Sequence, residues 1–330
     1  MIIDAHTHTF CPPVEALVNG RYDPKVIPYK RDMSPESKAV DMEQGKLLAE
    51  PFNVVERRLA DMAKMRIDIQ VIAPAPGQQH YWADPALSDE LSRMQNDHVA
   101  ALVAKAPDRF VGLATLPMVD PARAEAEAVR AAEEKGLRGF QIDTRVNERE
   151  LSDPAFDGLW ARLARLKTPL IIHPLGFSHG ERLGPFFMVN TVGQPLEETI
   201  AFHHFVFGGV LDRHPDLKVL ICHGGGYVPS YVGRLDHAWK HRPELRRLTA
   251  DPPSAYLKRF WYDTCVFRAD LIENLVSLAG ADRVLLGSDY PFDMGDLDPV
   301  GLLETCRGLD AAARRAIEAD NAKSLFRIGG

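Results

Sequence analysis

Two histidines one residue apart, His6 and His8, close the apolar run that begins the chain, Met1-Ile2-Ile3-Asp4-Ala5. In an extended strand residues i and i+2 face the same side, so both imidazoles project together from its C-terminal end. Paired imidazoles are half of a metal site. Later apolar runs end in residues of the same ligand type: His173 in Ile171-Ile172-His173-Pro174, His223 in Ile221-Cys222-His223 before Gly224-Gly225-Gly226, and Asp289 in Gly287-Ser288-Asp289-Tyr290-Pro291. Taken singly, His173 could be a hydrogen-bonded rim histidine, Asp289 a turn cap and His223 the border of a phosphate-type loop. Taken as a set they read as a catalytic divalent site. His6, His8, His173 and Asp289 would be the ligands, with one position left open for water or substrate. His223, whose ordinary pKa is close to working pH, would transfer protons. A bridged pair of metals would call for a further ligand, commonly a lysine on the fourth strand, and Leu137–Thr144 has none. One metal is expected.

The elements that must carry these residues alternate. Apolar runs at Ile67–Pro74, Arg109–Pro117, Leu137–Thr144, Pro169–Pro174, Leu217–His223, Arg259–Thr264 and Arg283–Asp289 follow the first strand. Helical periodicity falls between them, as in Tyr81–Lys105, the Ala- and Glu-rich Pro121–Lys135 with Gly136 at its end, Leu196–Leu211 and Tyr231–Trp239. Eight buried strands, each followed by a helix, predict a parallel sheet closed into a (β/α)8 TIM barrel, whose chemistry sits at the strands' C-terminal ends. An open doubly wound sheet is the alternative, but its usual Gly-rich first turn is replaced here by His-Thr-His. Residues 9–51, rich in proline and charge and without a sustained period, read as a loop insertion after strand 1 that leaves directly from the His pair and caps the site. The whole chain, 1–330, is expected to form a single domain.

Composition narrows the function. With 45% hydrophobic and 26% charged residues the 330-residue chain has ample core material. A net charge of -7 offers no basic footprint for nucleic acid or an anionic membrane, while leaving room for a locally basic pocket. No run approaches a membrane span, and the start lacks a signal-peptide pattern. The four scattered cysteines, Cys11, Cys222, Cys265 and Cys306, read as reduced thiols, so a cytoplasmic protein is expected. Cys11, though near the His pair, is expected to be a small buried hydrophobe rather than a ligand.

Asp4-Ala5-His6-Thr7-His8, Ile172-His173-Pro174, His223-Gly224-Gly225-Gly226 and Gly287-Ser288-Asp289-Tyr290-Pro291-Phe292 together resemble the signature of the amidohydrolase superfamily. The resemblance is strongest to the α-amino-β-carboxymuconate-ε-semialdehyde decarboxylase branch. It extends to Arg109–Pro117 and Gly233-Arg234-Leu235-Asp236-His237, covering about residues 55 to 328. It implies a single Zn²⁺, or alternatively Mn²⁺, on His6, His8, His173 and Asp289, with His223 as acid/base. It also implies that Arg234 binds a substrate carboxylate across the interface of a homodimer or larger homo-oligomer. Two departures bear on the substrate: Ala49 stands where the branch has a carboxylate-binding arginine, and Asn190 where it has an aromatic lid residue. Both argue against the muconate semialdehyde itself and leave other aromatic or unsaturated acids, hydroxybenzoates among them.

The reaction expected is nonoxidative decarboxylation of such a small carboxylic acid. The metal anchors an oxygen of the substrate, Arg234 holds a carboxylate in a bidentate pair, and His223 with Asp289 manages the proton that must reach the carbon losing CO2. The same ligands would equally serve a hydrolase of an ester, lactone or amide using a metal-bound hydroxide, or a hydratase. A metal-binding protein without turnover is the third reading, opposed by His223.

Overall fold

Residues 1–329 are described by a computed structural model, and apart from a small antiparallel pair, Arg145–Val146 with Arg149–Glu150, their strands are short, parallel and mostly buried. We number them β1 (Ile3–Thr9), β2 (Ile69–Pro74), β3 (Phe110–Gly112), β4 (Phe140–Ile142), β5 (Leu170–Ile172), β6 (Val219–Ile221), β7 (Phe260–Asp263) and β8 (Val284–Leu285). β1, β2 and β3 pair in order, as do β4 through β8. Two seams join these sets. At one, Ala114 N donates to Gly139 O (2.9 Å) and Gln141 N to Ala114 O (2.7 Å). At the other, Ala5 N donates to Leu286 O (2.8 Å), Asp289 N to His6 O (2.9 Å) and His8 N to Tyr290 O (2.8 Å). The sheet is therefore closed, as the TIM-barrel expectation requires.

Alternation along each strand divides the core in two. Ile3, Ala5, Val71, Ile171, Leu220 and Leu285 point inward and pack on Phe326 and its neighbours from the C-terminal helix Asn321–Phe326. Their sequence neighbours Ile72, Leu170, Ile172, Val219, Ile221 and Val284 point outward under the surrounding helices. Outside β1, whose buried residues include Asp4, His6, Thr7, His8 and Thr9, the strands are thus largely apolar on both faces, which is why they read as continuous runs and not as alternations.

The expected loop over 9–51 is instead mostly helical: Pro12–Val18, Pro28–Asp32 and Pro35–Asn53 are α-helices, with a 3-10 turn at Pro24–Val26. The physical reason that no period is visible lies in burial. In Pro35–Asn53 only Pro51 and Phe52 are buried, so no apolar stripe is needed. Its start is set locally, by Ser34 accepting from Ser37 N ahead of Pro35. Arg58, from the next helix Val55–Lys64, is 1% exposed and fastens this segment to the barrel. It donates to Gln70 Oε1 (2.7 Å), His8 O (2.8 Å), Thr7 Oγ1 (3.0 Å) and Pro51 O (3.2 Å).

Candidate functional site

The strand ends converge. At the C-terminal end of β1 the Nε2 atoms of His6 and His8 lie 3.1 Å apart. Asp289 Oδ1 is 3.0 Å from His8 Nε2, 3.3 Å from His6 Nε2 and 3.8 Å from His173 Nε2. One donor atom from each of His6, His8, His173 and Asp289 falls within 4.8 Å of all the others, and all four residues are buried.

Close approach here depends on small residues and on strained backbone. A Cβ on Gly287 would sit 2.9 Å from Asp263 Cβ and 3.0 Å from His6 Cβ, so only glycine lets the segment after β8 come this near. Asp289 (φ 60) and His223 (φ 49) both occupy the left-handed region, which non-glycine residues rarely adopt and which clusters at functional sites. Asp4, buried and pushed up to about 6 by desolvation, ties β1 to the β8 loop by accepting from Ser288 N (3.0 Å) and from the Ser288 hydroxyl.

The protonation pattern suits a cation. His173 Nδ1 donates to Pro174 O (3.0 Å), which leaves the lone pair on Nε2, and that buried atom has no hydrogen-bond partner among the described residues. His6 Nδ1 faces Asp263 Oδ2 at 2.8 Å, so its Nε2 is the nitrogen turned into the cluster; burial opposes a charge on this ring, while Asp289 and Asp263 raise it, so a cation would have to displace that proton. Burial pushes His8 down to about 4 and His173 down to about 3, keeping both neutral, the form that ligates metal. Burial would push Asp289 up, but the imidazoles of His6, His173, His223 and His8 hold it well below the usual carboxylate range. An orphaned His173 nitrogen, the Nε2 atoms of His6 and His8 turned to the same point and an ionised carboxylate are the donor set of a divalent cation.

His223 stands on the other side of the carboxylate, its Nε2 3.6 Å from Asp289 Oδ2 and its Nδ1 2.7 Å from Glu198 Oε1. Burial opposes a charge on this ring, yet Glu198 and Asp289 raise it well above an ordinary histidine. Glu198 comes from the helix Gly193–Phe207 and is itself pushed up to about 7 by burial. At 2.7 Å a charge on either group favours the opposite charge on the other. That helix reaches the ring because Gly226 (φ +62) leaves space for Pro195 O and the Glu198 side chain.

Glu198 and Asp263 were not among the residues singled out from the sequence. Asp263 carried a usable signal, a polar residue ending the apolar run Phe260-Trp261-Tyr262, whereas Glu198 sits in a helical Glu-Glu pair 25 residues from its partner and carried none. Arg234 lies exposed on the helix Val228–His241 and makes no hydrogen bond or ion pair among the described residues, so within one chain it stays outside the cluster. Ala49 is exposed on the helix Pro35–Asn53, and Asn190 is half-buried. Cys11 packs with Val14, Val18, Ala83 and Leu91, away from the four-residue donor group. An aromatic wall of Phe292, 5.2 Å from the His8 ring, and Phe52, 5.4 Å from Phe292, flanks the cluster.

A closed (β/α)8 barrel with such a donor set and a histidine–carboxylate pair at the strands' C-terminal ends defines a metal-dependent barrel enzyme. The amidohydrolase family model matches residues 3–328, and the chain belongs to that family. It is 34% identical over 267 residues to the 2-amino-3-carboxymuconate-6-semialdehyde decarboxylase of Dictyostelium discoideum, an alignment covering 80% of this chain and 74% of the relative. Its structure is similar to that of 5-carboxyvanillate decarboxylase from Sphingomonas paucimobilis, with TM-score 0.87, 25% identity and 99% of each chain covered. It shares its fold with the 5-carboxyvanillate decarboxylase of Novosphingobium aromaticivorans, a complex with manganese and 4-hydroxy-3-methoxy-5-nitrobenzoic acid (TM-score 0.87, 23% identity, 99% and 96% covered). These relatives are decarboxylases of the superfamily, and their acids are aromatic or unsaturated. No described helix is long and apolar enough to cross a membrane.

Proposed function

We propose that this chain is a metal-dependent, nonoxidative decarboxylase of a small aromatic or unsaturated carboxylic acid. The observation that carries the reading is the division of labour around Asp289: three imidazoles meet Oδ1, with His173 Nε2 unpartnered, while the His223–Glu198 pair faces Oδ2. One divalent cation held by His6, His8, His173 and Asp289 would supply a Lewis-acid anchor for a substrate oxygen. Zn²⁺ is the ion we assign, because a nitrogen-rich set favours it over Mn²⁺ at equal availability.

His223 then acts as the general acid. With Nδ1 held by Glu198, its Nε2 presents a proton to the carbon bearing the departing carboxylate. The new C–H bond takes a π pair and interrupts conjugation. The C–C bond to the carboxylate then breaks, its electron pair returns to the conjugated system, and CO2 leaves. Phe292 and Phe52 give the substrate's flat face an apolar wall. In our reading the segment 9–51 covers the mouth of the single domain, supported by the hydrogen bond from Gln44 Nε2 to Asp293 Oδ2 (2.6 Å).

Arg234, exposed and unpaired, would complete a neighbouring subunit's site in a homodimer. Four unpaired cysteines suit a cytoplasmic protein. The test is metal analysis of the purified protein, followed by CO2 release from a panel of hydroxybenzoates and unsaturated diacids. One equivalent of metal and CO2 formed in step with acid consumed are expected. A product that retains every carbon and gains the elements of water would overturn the reading in favour of hydrolysis or hydration.

A further inference from the structure

Beside the four-residue donor group lies a cavity of about 210 Å³, walled by Val26, Ile27, Pro28 and Arg31 of the covering segment and by the loops after β2, β4 and β5. Gln79 lines it and is only 4% exposed, yet neither its amide oxygen nor its amide nitrogen has a partner among the described residues. A buried amide left wholly unpaired is costly, and such groups call for a ligand or water. Asp143 lines the same cavity. Its Oδ1 accepts from Thr144 N (2.7 Å), Thr144 Oγ1 (3.0 Å) and Leu175 N (3.2 Å), whereas Oδ2 accepts from no described residue. The Thr144 hydroxyl is also 3.0 Å from Glu197 Oε2, so a single proton lies between two carboxyl groups.

The charge around these acceptors selects the ligand. Arg31 is committed to Asp32 (2.8 and 2.7 Å), and Arg145 to Glu148 (2.9 Å) and Glu150 (3.2 Å). His80, the remaining basic side chain of the lining, faces Glu15 at 3.3 Å, so each basic group of the cavity wall already has a carboxylate beside it and none is left over for a ligand carboxylate. The cavity has instead two oxygens in want of an N–H donor, Asp143 Oδ2 and Gln79 Oε1. Position adds the link to the reaction. Three residues separate His173, in the donor cluster, from Gly176, in the cavity wall, a span of at most about 11 Å even when extended.

We propose that this cavity is a specificity subsite for a primary amino group carried by the substrate on the side remote from its departing carboxylate. The proposal rests on the decarboxylase reading of the neighbouring cluster. It is tested with matched 2-hydroxybenzoates bearing amino or methyl at ring positions 3, 4 or 5, on the metal-loaded full-length protein. Calorimetric affinity and CO2 release are read separately. For at least one ring position the amino compound should bind about tenfold or more tightly than its methyl twin. In Gln79→Leu, and independently in Asp143→Asn, that ratio should fall towards one, with folding verified by circular dichroism. A binding preference for amino without CO2 from any acid would support the subsite while refuting decarboxylation. CO2 release with no amino preference at any position, or a preference that survives in a folded Gln79→Leu, would overturn the subsite alone.

Discussion

His173 offers the sharpest separation of a ligand from a structural residue. Replacing it by leucine removes the bond from Nδ1 to Pro174 O, a loss of about 1 kcal/mol, but also removes the orphaned Nε2, whose burial costs about 1–3 kcal/mol. The metal-free variant should therefore be as stable as the metal-free parent or up to about 2 kcal/mol more so. For 330 residues the unfolding entropy at about 2.1 cal/mol/K per residue comes to about 0.7 kcal/mol/K, so that gain is at most about 3 °C in Tm. In the parent, a cation at about a hundred times its Kd adds about 2.7 kcal/mol, or about 4 °C. Thermal unfolding of chelator-treated His173→Leu and parent, each with and without added Zn²⁺ or Mn²⁺, reads both quantities. A metal-free variant that melts about 5 °C or more below the parent while keeping the metal-induced rise would refute the argument, because His173 would then be packing and not ligating.

Glu198→Gln should lower kcat about 10²-fold with bound metal unchanged, since the amide keeps the shape but not the charge that holds His223 Nδ1; turnover and metal content measured on one preparation decide it. Asp143 is pushed up to about 7 by burial and then by Glu197, above its ordinary 3.8. A raised carboxyl contributes stability that is full below about pH 4 and is lost as pH rises through 7. Asp143→Asn should therefore melt higher than the parent at pH 8 and converge with it near pH 4, and a constant offset across that range would sink the assignment. Arg58→Leu strands Gln70 Oε1 and the carbonyls of His8 and Pro51, so the urea midpoint should reveal a loss of about 3 kcal/mol or more.

The barrel was legible because each strand is buried on both faces and bounded by proline, glycine or a polar ligand. Strand ends were less so. Ala114–Pro117 and Leu286–Asp289 are as apolar or as buried as the strands before them, but they leave the regular ladder to form the seams and the site, and hydrophobicity does not mark that departure. The helices between Pro12 and Asn53 escaped because their exposed faces need no period, and the prolines that open them, Pro12, Pro28 and Pro35, read equally well as loop residues. Among the candidate site residues, His6, His8, His173 and Asp289 could be singled out because each closes or follows an apolar run, and the structure brings the four together. Glu198 could not, since it projects from a helix outside the barrel and meets His223 only through the space at Gly226.

That contrast has a structural cause in the closing seam. His6 O accepts from Asp289 N, and Asp4 grips Ser288, so the backbone that shuts the barrel between β8 and β1 is the same backbone that sets two donor side chains side by side. The other seam, at Ala114 and Gly139, carries no donor to the cluster. His6, His8 and Asp289 at this seam, with His173 reaching them from the end of β5, waste lone pairs unless a cation joins them, while the bonds across the seam hold the first three in place. Closure of the sheet thus holds the donors in place before any ion arrives, and an ion bound by His6 and Asp289 would in turn clamp the seam. Ligand preorganisation and barrel closure are therefore one set of interactions, which explains why the strained backbone at Asp289 is tolerated where it is.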